Sequence, residues 1–162
     1  MLYNENKECL ETYNYYFINK SDYFNAEKQL KSLNLKQRNG KDRKLWVFVN
    51  PISGRQYSKT YYKEILLPIL EFAEINHECY ETDSATFIEK FLENFDINKT
   101  SFTDFIIIGG DGVFNQLLNG IMKHPNKEEL LKLPIGFIPG GSCNALSCDL
   151  GSKDPFRAAI NI

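Results

Sequence analysis

The four residues Phe105-Ile106-Ile107-Ile108 run without a break into Gly109-Gly110-Asp111-Gly112. A continuous apolar run of this kind marks a strand buried on both faces, because a strand with one wet face would alternate. The residues that follow, Val113, Phe114, Leu117, Leu118 and Ile121, have helical spacing. A strand covered on both faces needs helices above and below it, so this segment alone points to an α/β fold with a parallel sheet. The pattern recurs. Leu45-Trp46-Val47-Phe48-Val49 breaks at Asn50-Pro51-Ile52-Ser53-Gly54 and leads into Tyr61, Tyr62, Ile65, Leu66, Ile69 and Phe72. Pro68 lies within that helical pattern and predicts a kink or a restart. Residues 76–81 read as a short strand, and Thr82, Asp83 and Ser84 are candidate caps for a helix carrying Phe87, Ile88, Phe91, Leu92 and Phe95. A short helical piece over 128–132 precedes the strand Ile135-Gly136-Phe137-Ile138, which ends in Pro139-Gly140-Gly141-Ser142. Residues 144–150 and 155–162 read as helices. The expected architecture is a three-layer parallel sheet with helices on both faces.

Residues 1–40 read differently. An aromatic stretch at Tyr13, Tyr15, Tyr16, Phe17 and Ile18 suggests a strand, and Ala26, Leu30 and Leu33 suggest a helix. The basic stretch around Asn39-Gly40 ends that helix, so we place a boundary near residue 40: an N-terminal appendage over 1–40 and the α/β unit over 41–162. Lys+Arg is 19 against Asp+Glu 21, a formal net charge of −2, which gives no electrostatic argument for nucleic acid. No apolar run approaches the ~18 residues of a membrane span. The first residues carry acids and amides where a signal peptide carries an apolar core. A cytoplasmic address is therefore expected. Cys9, Cys79, Cys143 and Cys148 form no C-x-x-C pair, and with only His77 and His124 beside them the ligand count argues against zinc. Free thiols in a reducing compartment are the simpler reading.

In an open α/β sheet, ligands gather beyond the carboxyl ends of the strands. Three loops lie at that edge: 50–54, 109–112 and 139–144. Glycines there let backbone N–H groups approach a phosphate, and the helix that follows aims its positive end at the same place. Three such loops at one edge point to a phosphate-rich ligand, hence a nucleotide. Asp111 has two readings. A carboxylate beside phosphates needs a cation between them, which Mg²⁺ supplies, or Asp111 is a helix cap. Asn50, Ser142 and Asn144 likewise serve either a ligand or a turn and cap, and Arg55 and Lys59 either reach phosphate or are solvated. No G-x-x-x-x-G-K-[ST] and no G-x-S-x-G occurs, so P-loop and nucleophile-elbow chemistry are excluded.

The motifs Asn50-Pro51-x-Ser53-Gly54, Gly109-Gly110-Asp111-Gly112 followed by Asn119-Gly120, and Pro139-Gly140-Gly141-Ser142-x-Asn144-Ala145-Leu146 together resemble the catalytic domain shared by diacylglycerol kinases and sphingosine kinases. The closing Gly-Ser-x-Asn-Ala-Leu and the preceding Pro-Asn-Lys-Glu-Glu-Leu look most like sphingosine kinase. The resemblance covers roughly residues 20–162. It implies an ATP-dependent lipid kinase of two lobes, of which this chain is the N-terminal, nucleotide-binding one. By the resemblance, Asn50, Ser53, Gly54 and Gly109 line the nucleotide, with Thr82 near it. Gly110, Asp111, Gly112, Gly140, Gly141, Ser142 and Asn144 belong to the loops that hold its phosphates. Asp111 is the signature acid, expected to be catalytic and to serve Mg²⁺. The lipid, a sphingoid base or diacylglycerol, and the carboxylate that takes its proton belong to a following β-rich lobe that this chain lacks. The chain alone is thus expected to be a poor catalyst, cytoplasmic with transient peripheral membrane contact.

Three positions depart from the family pattern. Cys143 stands where Gly is usual, which would strain the loop if that position needed φ > 0. Gln116 stands where Glu is frequent. Arg55, Gln56 and Tyr57 replace a Gly/Lys-rich turn. Cys143 and Gln116 keep open an inactive nucleotide-binding scaffold; separately, the Gly-Gly-Asp-Gly loop is shared by soluble-substrate kinases of the NAD-kinase type, against which the Gly-Ser-x-Asn-Ala-Leu stretch argues.

Overall fold

A computed structural model describes residues 42–149 and 153–162. The strand and helix expected within residues 1–40 lie outside the described residues. Four strands form one sheet: β1 (Lys44–Val49), β2 (Asn76–Glu81), β3 (Asp104–Gly109) and β4 (Ile135–Pro139). Their order is β2-β1-β3-β4, and every neighbouring pair is parallel. The register sets Val47 beside Cys79 on one side and Ile106 on the other, and Ile107 beside Phe137.

Parallel neighbours cannot be joined by hairpins, so each connection crosses a face of the sheet. The chain passes from β1 to β2 through α1 (Ser58–Tyr61), a π-helical turn (Tyr62–Leu66) and α2 (Leu67–Phe72). It then reverses direction and reaches β3 through α3 (Phe87–Glu93), and β4 through α4 (Asp111–Lys123) and α5 (Lys127–Leu130). Reversing direction with the same crossover hand changes the face that is covered. Leu45, Val47, Val49, Ile106 and Ile108 accordingly pack with Ile65, Leu66 and Leu70. Trp46, Phe48, Phe105 and Ile107 pack on the other face with Ile88, Leu92, Val113, Leu117 and Ile121. The alternation of β1 and β3 thus feeds two cores, which is why both strands are apolar at nearly every position. On the second face Trp46 stacks flat on Phe102, ring centroids 3.9 Å apart, with Phe95 and Phe91 edge-on at 4.4 and 4.9 Å. Two short helices follow β4: α6 (Ala145–Asp149) and α7 (Pro155–Ile160). Ala158 and Ala159 of α7 close the first core.

Pro68 acts as its chemistry requires. It has no N–H to give the carbonyl one turn back. The chain widens just before it, with the Leu67 N–H bonding the Tyr62 carbonyl five residues earlier, and α2 restarts with Pro68 in its first turn. The restart matches expectation; the cap of α3 does not. Thr82, Asp83 and Ser84 do not cap it: Thr86 holds that position without a side-chain hydrogen bond, and the Phe87 N–H bonds the Ser84 carbonyl. Thr82 is instead drawn into the sheet, its N–H donating to the Val49 carbonyl at 2.8 Å. At the opposite end of the strands, Arg43 binds the buried Asp104 carboxylate at 2.8 Å and the Ile162 carbonyl at 2.7 Å.

Candidate phosphate-binding site

The reversal of winding falls between β1 and β3. Their carboxyl ends carry the first and second glycine loops, and β4, next to β3, carries the third. All three expected loops therefore meet at one edge, and hydrogen bonds tie them together. The Asn50 N–H donates to the Ile108 carbonyl at 2.9 Å, and the Gly140 N–H to the Gly109 carbonyl at 2.7 Å.

The contacts between loops are backbone on backbone. Gly54 has φ +51°, and a Cβ there would lie 2.7 Å from the Gly140 carbonyl oxygen. A Cβ on Gly141 would lie 2.5 Å from Gly110 Cα. Neither position has room for a side chain, and Gly54 also has the left-handed backbone that favours glycine. Each loop is braced internally. Asn50 Oδ1 accepts from the Ile52 N–H at 3.0 Å, the Asx turn that one of its two sequence readings expects. Asn144 Oδ1 accepts from the Gly141 N–H at 2.8 Å and its Nδ2 donates to the Gly141 carbonyl at 2.7 Å. Asn144 itself has φ +49°, so the left-handed residue of this loop is Asn144. Cys143 is exposed and is not among the residues with positive φ, so the strain anticipated from replacing glycine there does not arise.

Asp111 is the first residue of α4, and Gly110 holds the cap position without a side chain to offer. The Asp111 carboxylate reaches across to the third loop. Its Oδ2 accepts from the Ala145 N–H at 2.9 Å and its Oδ1 from the Leu146 N–H at 3.2 Å. It is a helix cap, then, but of α6 rather than of its own helix. One residue on, Gly112 is exposed and a Cβ there would meet nothing within 4 Å. The start of α4, which has no side-chain cap, thus opens onto free space; the Val113 N–H bonds the Gly110 carbonyl at 3.0 Å, and the Asp111 and Gly112 N–H groups before it have no intrahelical carbonyl to reach.

Two buried polar atoms near these loops have no hydrogen-bond partner: Ser58 Oγ and Gln116 Oε1. Ser58 is fully buried, and its Oγ lies 2.5 Å from where a Cβ on Gly140 would sit. No local pattern marks it, since an isolated serine in a polar first turn reads as solvated. Gln116 lies one turn beyond Gly112 on the same face of α4. Of the cations considered from sequence, Lys59 pairs with Glu81 at 2.7 Å and Arg55 is exposed. Ser53 Oγ lies 3.2 Å from the Cβ position of Gly109, within the same cluster, whereas Ser142 is exposed on the third loop.

Bare amides, an open approach at Gly112 and close-packed glycine loops behind it fit the phosphates of a nucleotide. Mg²⁺ is held through one or two carboxylates together with phosphate oxygens and water. Among the described residues no group of three or more His, Cys, Asp or Glu side chains is gathered. The carboxylate that the three loops bring to this edge is that of Asp111, and each of its oxygens already accepts an amide N–H.

A parallel sheet whose glycine loops converge where its winding reverses defines an open α/β fold with its candidate site at the switch point. The diacylglycerol kinase catalytic domain model matches residues 44–162, and the chain belongs to that family of lipid kinases. It is 37% identical over 120 residues to sphingoid long-chain bases kinase 1 of Arabidopsis thaliana, covering 74% of this chain and 16% of that protein. Against ceramide kinase of Mus musculus the identity is 28% over 160 residues, covering 86% of this chain and 30% of that protein. The crystal structure of a diacylglycerol kinase from Bacillus anthracis superposes with a TM-score of 0.54 at 26% identity, over 73% of this chain and 40% of that one. The chain spans less than a third of the length of these curated relatives.

Proposed function

We propose that this chain is the ATP-binding lobe of a kinase that transfers the γ-phosphoryl group to the hydroxyl of a sphingoid base. The observation that carries the nucleotide half is the convergence of the three loops, with Gly112 open beside the uncapped start of α4. The lipid half rests on the relatives, of which several are named as kinases of sphingosine or sphingoid bases. Diacylglycerol, from the family's own description, is the competing acceptor.

Phosphoryl transfer asks a protein mainly to position two substrates and neutralise charge. In this reading the first-turn amides of α4 and the third loop hold the phosphates, while Asn50, Ser53, Gly54 and Thr82 bound the nucleotide on the β1 side. A Mg²⁺ ion bound with ATP would supply charge neutralisation at the β- and γ-phosphates. The acceptor lipid is proposed to sit in a further β-rich lobe, so this chain by itself transfers phosphate poorly. A cytoplasmic address with transient membrane contact accompanies the reading. Among the described residues no helix is long and apolar enough to cross a membrane.

The test is ATP binding by this chain, followed by radiolabelled phosphate transfer to sphingosine and to diacylglycerol by a protein that carries the second lobe. Binding without transfer to either lipid would favour an inactive nucleotide-binding scaffold. The orphaned Gln116 acceptor, where the family frequently has glutamate, keeps that second reading in play.

A further inference from the structure

We propose that Asp111 is a positioning residue: its carboxylate clasps the third glycine loop to the second, and it serves that clasp rather than a metal ion. The bonds span 34 and 35 residues of sequence, from the first turn of α4 to the amides of Ala145 and Leu146. α6 has need of such a remote partner. The first N–H groups of a helix are normally met by the side chain of the residue before it. Here that residue is Asn144, and both ends of its amide are turned back onto the Gly141 N–H and carbonyl. Asn144 therefore does not cap α6, and the acceptor for the Ala145 and Leu146 amides comes from Asp111 on the second loop.

The clasp also answers the electrostatic objection to an acid beside phosphates. A carboxylate in the first turn of a 13-residue helix lies at the positive end of that helix, where negative charge is favoured. With two further N–H groups directed at its oxygens, its charge is compensated by the protein itself. No cation has to be enlisted for Asp111 to stand next to a phosphate. The geometry distributes the work: the Gly140–Gly109 hydrogen bond and the Gly141–Gly110 contact join the loops at their base, and Asp111 joins them one residue further out, level with the open space at Gly112.

The proposal rests on the nucleotide reading only where affinity is the readout, so two readouts are used. In the unliganded 162-residue chain, hydrogen exchange followed by NMR should find the Ala145 and Leu146 amides protected relative to the exposed Ser142 and Cys143. Asp111→Ala should lose that protection about tenfold or more at both amides. Asp111→Asn, with a single acceptor oxygen, should keep it at one of them. Amides of β1 and β3 report that the variants remain folded. ATP affinity, measured by calorimetry in EDTA and again in excess Mg²⁺, should fall by the same factor in both media for either variant. Unprotected amides in the wild-type chain would overturn the proposal with no variant needed. A loss of affinity confined to the Mg²⁺ series would also overturn it and make Asp111 a metal ligand. If the wild-type chain binds no nucleotide in either medium, the proposed function fails, and the exchange data still decide the clasp.

Discussion

Two glycines of the site, Gly112 and Gly141, should answer alanine substitution in opposite ways. At Gly141 the new Cβ would sit 2.5 Å from Gly110 Cα and 2.8 Å from Asn144 Oδ1, with backbone as the first obstacle. Carbon atoms pack at about 3.5–4.0 Å, so the two loops must part by about 1 Å. Overpacking of this kind costs about 1–3 kcal/mol. For a chain of this length that is a fall in Tm of about 3–9 °C. At Gly112 the Cβ would meet nothing within 4 Å, and the residue lies inside the first turn of α4. Alanine there is a better helix former than glycine by up to about 1 kcal/mol, so Tm should hold or rise by about 1–3 °C. The same methyl group occupies the approach to the first-turn amides. Displacing a phosphate from one or two charge-assisted hydrogen bonds of about 1.5–3 kcal/mol each weakens ATP at least tenfold. The assay is thermal unfolding followed by the emission of Trp46, the single tryptophan, which is buried among aromatic rings. Calorimetric titration with ATP completes it. If Gly112→Ala binds ATP like the wild type, the start of α4 is not where phosphate goes. If it loses stability and affinity together, the open space inferred at Gly112 is wrong.

Ser58→Ala removes a fully buried hydroxyl that has no partner, and should raise stability by about 1 kcal/mol in a denaturant titration; a loss of that size would mean the hydroxyl is bonded after all. Arg43→Met leaves the buried Asp104 carboxylate without its cation and the Ile162 carbonyl without its donor, and should destabilise by about 3 kcal/mol, the low end for a buried pair because Arg43 keeps some solvent contact. Tyr62 and Tyr80 are both pushed up to about 12, chiefly by burial, with the Cys79 thiol adding for Tyr62 and the Glu78 carboxylate for Tyr80. Because the folded chain holds these protons more tightly than the unfolded one, their contribution to stability is complete below pH 10 and is lost as pH rises from there through 12. Ultraviolet titration should show two phenols ionising with alkaline unfolding, and Tyr80→Phe should leave one.

What could be read from the sequence follows from where burial is two-sided. β1 and β3 are central, each facing two cores, and their apolar runs could be read directly. β2 is an edge strand, partly exposed or exposed at every position, and its sequence Asn76-His77-Glu78-Cys79-Tyr80-Glu81 carries a correspondingly faint pattern. Pro68 was legible because a missing N–H has one consequence in a helix. The cap of α3 was not, because Thr82, Asp83 and Ser84 are all good caps and only the sheet decides that the first of them is drawn into a strand end. The clasp by Asp111 was legible in kind but not in place. A carboxylate at a helix start reads as a cap, but its acceptor role for amides 34 and 35 residues away depends on how close two loops come, which no local spacing records.

The glycines set the same limit within the site. The doublets Gly109-Gly110 and Gly140-Gly141 announce that a backbone approaches something closely, and a phosphate was the natural candidate. Most of that closeness is spent on the neighbouring loop: Gly54 against Gly140, Gly141 against Gly110, Gly109 against Ser53. Only Gly112 of the glycines at these three strand ends faces open space. A glycine-rich strand end therefore carries two separate pieces of information, one about assembling the cradle and one about admitting the ligand. The sequence writes both with the same residue. They come apart only when a Cβ is placed at each position and its obstacle identified, since backbone in the way marks an assembling glycine and empty space marks an admitting one.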